Sequence, residues 1–218
     1  VAPRVILTEG GSMTDIYVYN QLTKDNNGNI KVDQNGNLGI TSSNTPVKVG
    51  NLDADFNLGW TNHFTYKGID LGVVLSARVG GLAYSATQGI LDYYGVSGTS
   101  ATARDNGGIP INNGKVNAQK YYQTIGTGEG GYGRYYLYSA TNVRLQELSL
   151  NYTLPKRWFK NVANVTLGIV GRNLWMIYCK APFDPELSAS TSSNYYMNVD
   201  YFMQPSLRNF GFNVKVQF

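Results

Sequence analysis

The chain has 218 residues, room for one large β domain or two small ones, and only 15% are charged against roughly 25% in ordinary soluble domains. Its 25 Gly and 17 Tyr suit strands joined by long loops, in a membrane barrel or a secreted carbohydrate-binding sandwich. The net charge of +4 is scattered, which argues against a nucleic-acid partner; the lone Cys179 excludes an internal disulfide and a cysteine-cluster zinc site; and no run of 18 apolar residues offers a transmembrane helix.

Residues 1–54 are rich in turns. Val1-Ala2-Pro3-Arg4 is no signal peptide, so the expectation is that an export signal was removed or that the chain begins inside a longer one. Asn26-Asn27-Gly28-Asn29 and Gln34-Asn35-Gly36-Asn37 separate short apolar pieces such as Ile16-Tyr17-Val18-Tyr19 and Ile30-Lys31-Val32, which predicts small hairpins. Asp25 and Asp33 read as turn residues, because a calcium loop needs a carboxylate series and a closing Glu that this stretch lacks.

From Asp55 the alternation sharpens. Phe56, Leu58, Trp60, Phe64 and Tyr66 share one face, with Asn62 the exception. After Lys67-Gly68, Ile69, Leu71, Val73, Leu75, Ala77 and Val79 line one face of a return strand. Both runs match the roughly 9–11 residues a tilted strand needs to cross a bilayer. His63, the single histidine, falls on the polar face and reads as structural.

Residues 80–141 read as a long connection with a short helix at Ala86–Tyr94. Connections of this length usually bind something or act as lids. Tyr93, Tyr94, Tyr121 and Tyr122 in it are candidate contacts for a ligand or partner, with packing of the loop against itself as the plain alternative. Gly126-Thr127-Gly128-Glu129-Gly130-Gly131 lacks the Lys of a phosphate loop and reads as a flexible loop.

Val143 and Leu145 alternate in one phase and Leu148, Leu150 and Tyr152 in the other, so a β-bulge is expected at Gln146-Glu147. Leu154-Pro155-Lys156-Arg157-Trp158-Phe159-Lys160 is a basic-aromatic turn suited to a membrane interface. Val165, Leu167 and Ile169 begin a further strand towards Arg172-Asn173-Leu174-Trp175, and residues 176–206 form a second long loop. In the last strand Phe210, Phe212, Val214, Val216 and Phe218 oppose Gly211, Asn213, Lys215 and Gln217.

The connections alternate strictly: 67–68 and 155–163 are short, 80–141 and 176–206 long. Outer-membrane barrels sort their turns and loops this way, and a soluble sandwich has no reason to. The expected fold is therefore all-β: about five strands, within residues 55–218, of an antiparallel transmembrane barrel, preceded by a loop and hairpin region at 1–54.

Several motifs carry a family resemblance. They are Val49-Gly50-Asn51, Tyr66-Lys67-Gly68-Ile69-Asp70-Leu71, Val143-Arg144-Leu145-Gln146-Glu147-Leu148-Ser149-Leu150-Asn151-Tyr152-Thr153-Leu154-Pro155, Gly171-Arg172-Asn173-Leu174, Asp184-Pro185-Glu186 and the ending Phe210-Gly211-Phe212 to Phe218. Together they resemble the C-terminal barrel portion of the SusC/RagA family of TonB-dependent outer-membrane transporters, which implies that the five strands are the last of a large barrel of about 22 strands. The resemblance implies import of oligosaccharides, or peptides in some members, through a barrel lidded by a SusD-like surface lipoprotein and driven by TonB acting on a plug. It implies no catalysis, and no cofactor is expected. The plug and the remaining strands would lie on the N-terminal part of the protein, on a separate chain if a protease cuts in the outer loop at 1–54. Phe218 would serve as the signal to the barrel-assembly machinery. Asp70, Arg78, Arg144 and Lys215 are expected to face lumen or plug, with the apolar faces on lipid. Tyr93, Tyr94, Tyr121, Tyr122, Trp175, Tyr195 and Tyr196 are expected to meet ligand or lid. The competing reading is a secreted β-sandwich that binds glycans or acts as an adhesin.

Overall fold

In a computed structural model, which describes residues 3–126, 133–160, 162–187 and 198–217 (backbone alone at 42–44), the chain divides into two units. In chain order the elements are β1 (Arg4–Val5), β2 (Asp15–Leu22), β3 (Ile40–Asn51), β4 (Phe56–Tyr66), β5 (Ile69–Val79) and β6 (Leu82–Ser85). They continue with α1 (Ala86–Tyr93), α2 (Gly98–Asp105), β7 (Ile109–Ile111), β8 (Gly114–Val116), α3 (Ala118–Gly126) and β9 (Leu137–Ser139). The last are β10 (Asn142–Thr153), β11 (Asn164–Cys179), β12 (Val199–Asp200) and β13 (Asn209–Gln217). Among the described residues the chain is mostly β, and no helix is long and apolar enough to cross a membrane.

One unit draws on Val1–Asp53, Gly81–Ser139 and Pro185–Met203. Its buried core is Leu22, Leu38, Ile111, Val116, Ile125 and Tyr136, with Ile30, Val32, Tyr121 and Tyr122 packed on it. The two Asn-Gly stretches form successive turns of one design. Asp25 Oδ1 accepts from the Asn27 and Asn29 amides at 2.8 and 2.9 Å, and Asp33 Oδ1 from the Asn35 and Asn37 amides at 2.8 and 2.7 Å. These side chains stand in for backbone acceptors, as turn-forming aspartates do. The backbone bonds hold both carboxyls below the usual aspartate range.

In the expected long connection over 80–141, the described residues from Gly81 to Ser139 are a folded piece of this unit. The helix expected at 86–94 is present as α1, capped by Ser85, whose Oγ accepts from the Gln88 amide at 3.1 Å. Two further helices were not expected. In α2, Gly98-Thr99-Ser100-Ala101-Thr102-Ala103-Arg104-Asp105 has no apolar periodicity; it is started by Ser97, whose Oγ accepts from the Ser100 amide at 3.0 Å. Gly126, read as the start of a flexible loop, is the last residue of α3, and the rest of that stretch, 127–131, lies outside the described residues.

The other unit, Ala54–Gly80, Ala140–Asp184 and Gln204–Phe218, is a five-stranded antiparallel sheet in the order β13-β11-β10-β5-β4. These are the five strands expected from the alternation. The turn at Lys67-Gly68 has φ of 47° and 84°, the paired positive values of a type I′ hairpin. The bulge sits where the phase slips. On both sides of β10 the register shifts between Leu145 and Glu147, so Leu145 faces Leu75 and Leu148 faces Val73 on one surface. β11 yields in step through Asn173, at φ 53°, a backbone region that Asn tolerates better than most residues. β11 also runs past Trp175 to Cys179, so the second long connection begins at 180 and not at 176. Its stretch 188–197 lies outside the described residues, as does Phe218.

Register places each row of the sheet on one face. Tyr66, Ile69, Tyr152, Leu167 and Val214 form one row, and Phe64, Leu71, Leu150, Ile169 and Phe212 the next. This face is uncovered: Phe210 and Phe212 are 79% and 78% exposed. The opposite rows are polar, for instance Thr65, Asp70, Asn151, Gly168 and Asn213. The connections 67–68 and 154–163 leave one end of the sheet, and the long ones leave the other.

Candidate functional site

The polar face of the sheet is a hydrogen-bonded surface rather than a row of loose side chains. Thr65 Oγ1 donates to Asp70 at 2.9 Å, Asn151 Nδ2 donates to Asp70 at 3.5 Å, and Arg172 Nε donates to Glu147 at 2.7 Å. Two glycines make room for it. A Cβ at Gly72 would collide with the Ser149 hydroxyl and the His63 ring, and one at Gly168 with Asn151 and Asn213. His63 stands 3.8 Å from Asp70 in this layer.

At the long-connection end the layer closes over Arg144. This residue is 3% exposed. Its two terminal nitrogens donate to both carboxylate oxygens of Asp184, and Nε donates to Asn142 Oδ1 at 3.2 Å. Asn173 completes the cluster by donating to Ser206 Oγ at 2.8 Å. The guanidinium expected to face lumen or plug thus lies on the polar side but is covered by its own chain. The Arg144 and Asp184 motifs, 40 residues apart, meet here. Bidentate geometry and neighbouring amides are what a buried pair of charges requires.

In the other unit, helices α1, α2 and α3 enclose a cleft of about 360 Å³. Its lining includes Tyr93, Tyr94, Tyr122, Arg104, Gln119 and Gln123, with Asp92 at its base. Asp92 is buried and accepts from Gln88 Nε2 and Thr99 Oγ1 at 2.9 Å each, from Tyr136 Oη at 3.1 Å and from the Ser97 hydroxyl. Arg104 Nη1 donates to the Gly95 carbonyl at 2.7 Å, which holds the guanidinium at the rim. Tyr93 and Tyr94 pack edge to face with centroids 5.0 Å apart. Aromatic walls with a few fixed amide, carboxylate and guanidinium groups suit a small polar ligand or a side chain of a partner.

The structure brings together Tyr93, Tyr94 and Tyr122 from the expected contact residues. Tyr121, next to Tyr122, does not line the cleft; it packs on the core, where burial pushes its hydroxyl up to about 12. Trp175 is a strand residue rather than a loop residue: it pairs with Leu145 on the apolar face and is 60% exposed there. The strand was expected to run only as far as Trp175, and it continues to Cys179. Tyr195 and Tyr196 lie outside the described residues. Asp70, Arg78 and Lys215 stand on the polar face, opposite Asn151, Asn142 and Thr166 respectively. The sequence reading missed Arg104, Gln119 and Gln123; the i, i+4 spacing of the two glutamines was the available signal. Among the described residues no three His, Cys, Asp or Glu side chains converge to hold a metal ion.

No family model matches the chain. TonB-dependent receptor P3 of Formosa agariphila is 26% identical over 201 residues, covering 89% of this chain and 19% of that receptor. Among solved structures, the RagAB peptide transporter superposes with a TM-score of 0.55 at 17% identity, over 93% of this chain and 22% of that one. The RagAB peptide importer in its closed-closed state gives 0.48 at 19% identity, over 93% and 22%. The chain thus spans about a fifth of the length of the relatives it matches. Sequence and fold agree with the resemblance carried by the motifs: the chain is similar to part of a TonB-dependent receptor, and it shares its fold with part of the RagAB transporter. The partial coverage fits the C-terminal portion expected, and the relatives are a receptor and a transporter rather than enzymes.

Proposed function

We propose that this chain builds the C-terminal wall of a SusC/RagA-like nutrient transporter in a bacterial outer membrane. The sheet supplies five staves of a barrel of about 22 strands. The outer edges of β4 and β13 pair with strands from the rest of the protein, because open edges cannot face lipid. The apolar face meets lipid. Asp70, Arg78 and Lys215 face the lumen or the plug, and the Arg144–Asp184 pair ties an outer loop to the wall. The cleft at Tyr93, Tyr94 and Tyr122, in the unit that the long connections build, contacts an oligosaccharide or peptide or a SusD-like lipoprotein lid. TonB, acting on the plug, drives release into the periplasm, and no bond is made or broken.

One observation carries this reading. A five-stranded sheet of spanning length leaves an apolar face uncovered and a hydrogen-bonded polar face opposite, with its short connections all at one end. A secreted sandwich would cover that apolar face with a second sheet. Isolation from native outer membrane in mild detergent, with mass mapping of every co-purifying polypeptide, tests the proposal. Plug sequence and a lipoprotein recovered with this chain are the expected result. Recovery of the chain from the soluble fraction alone would overturn it.

A further inference from the structure

The short-connection end of the sheet differs in charge from the rest of it. Two connections meet there, since the Thr153 amide donates to the Gly68 carbonyl at 2.7 Å. They carry Lys67, Lys156, Arg157 and Lys160, all exposed, and no Asp or Glu occurs between Tyr152 and Val165 or in Tyr66–Ile69. Elsewhere in the sheet two cations are paired with carboxylates, Arg144 with Asp184 and Arg172 with Glu147. None of these four is engaged with a carboxylate in the described residues, and Lys67 instead lies 5.1 Å from the centre of the Tyr66 ring. The nearest carboxylate along the chain, Asp70, is on the polar face and bonded to Thr65. Trp158 and Tyr66 stand among these cations, 62% and 68% exposed, and Tyr66 begins the apolar face. Lys160 closes the 3-10 turn at φ 51°, which ends the helical turn directly after Trp158 and Phe159.

We propose that this end is a binding site for anionic phospholipid headgroups. The ligand chemistry is a phosphate diester joined to acyl chains. The four cations take the phosphates, the Trp158 and Tyr66 rings sit at headgroup depth, and the chains lie along the apolar rows from Tyr66 and Tyr152 onward. Uncompensated cations placed where an apolar face meets polar turns match the one environment that offers both negative charge and hydrocarbon. The site anchors the wall at that depth and favours anionic over zwitterionic lipid around it. This rests on the barrel reading above.

The test uses the whole protein that carries this chain, purified in mild detergent and inserted into nanodiscs of phosphatidylethanolamine mixed equally with phosphatidylglycerol. Lipids that stay bound after release are counted by native mass spectrometry at low and high salt. Wild type should retain phosphatidylglycerol in excess, with the excess falling as salt rises. The combined variant Lys67→Gln, Lys156→Gln, Arg157→Gln, Lys160→Gln should lose it, by as much as about fivefold per charge removed. Lys215→Gln, a charge removed from the opposite face, should retain it. Equal retention of both lipids by wild type, or undiminished excess in the combined variant with its heat-modifiable gel mobility intact, would overturn the lipid site and leave the barrel standing. Failure of the protein to enter nanodiscs at all would overturn the barrel reading and the site with it.

Discussion

Arg144 and Asp184 bury opposite charges at 4% and 7% side-chain exposure, so neither tolerates loss of the other. Arg144→Ala or Asp184→Ala strands a charge beside Asn142, Asn173 and Ser206, and each should cost about 3–5 kcal/mol. The double change Arg144→Met, Asp184→Leu removes both charges and should recover most of that loss. Thermal unfolding in detergent reads the difference, and a double variant no better than the singles would mean the pair contributes more than mutual neutralisation. A gentler effect belongs to Asp25 and Asp33. Backbone bonds from Asn29 and Asn37 lower both carboxyls, so their contribution is complete above the ordinary aspartate pKa of about 3.9. It disappears as pH falls through the depressed folded values. Amide signals of Asn27, Asn29, Asn35 and Asn37 should therefore shift together on acidification, and Asp25→Asn should remove the shift from the first turn only.

Strands were legible because alternation is a property of neighbours. Phe210 to Val216 and Ile69 to Val79 announce their faces without knowledge of what covers them. The bulge was legible for the same reason, since Leu145 and Leu148 cannot share a face unless Gln146 is extra. Helices α2 and α3 were not legible: Ser, Thr and Gly fill α2, and its stability comes from Ser97 and contacts made by distant chain. Trp175 was misplaced because the left-handed Asn173 breaks the phase in mid-strand. The same facing rule yields a prediction. Leu148→Arg puts a charge on the apolar face near mid-strand and should cost about 2–4 kcal/mol, whereas Ser149→Arg, one residue on and facing the polar side, should cost far less. Deletion of Gln146 should be tolerated far better than Leu148→Arg, because removing the extra residue leaves Val143, Leu145, Leu148 and Leu150 in one unbroken alternation on the apolar face. Yield of folded protein in the outer membrane, read as heat-modifiable gel mobility, ranks the three.

Across the whole molecule two kinds of stability coexist. The sheet unit turns apolar rows outward and depends on its surroundings, while the helical unit keeps Leu22, Ile111, Ile125 and Tyr136 inside and holds itself together. That contrast explains which candidate contacts could be named in advance. Tyrosine type pointed to Tyr93, Tyr94 and Tyr122 as well as to Tyr121, and only packing separates the last, because adjacent helical positions face different ways. The buried tyrosines also give the helical unit a pH limit. Burial raises the hydroxyl of Tyr121 to about 12, and those of Tyr136 and Tyr138 in the same direction. A raised folded pKa means the contribution is complete below the unfolded value of about 10 and is lost as pH climbs through the folded one. Titration from pH 9 to about 12 should release these phenolate signals late and cooperatively, with loss of near-ultraviolet dichroism from the helical unit. If lipid or detergent holds the sheet, as the barrel proposal requires, the sheet should keep its heat-modifiable mobility over the same range. Simultaneous loss of both signals would mean that the helical core, and not the membrane face, supports the sheet.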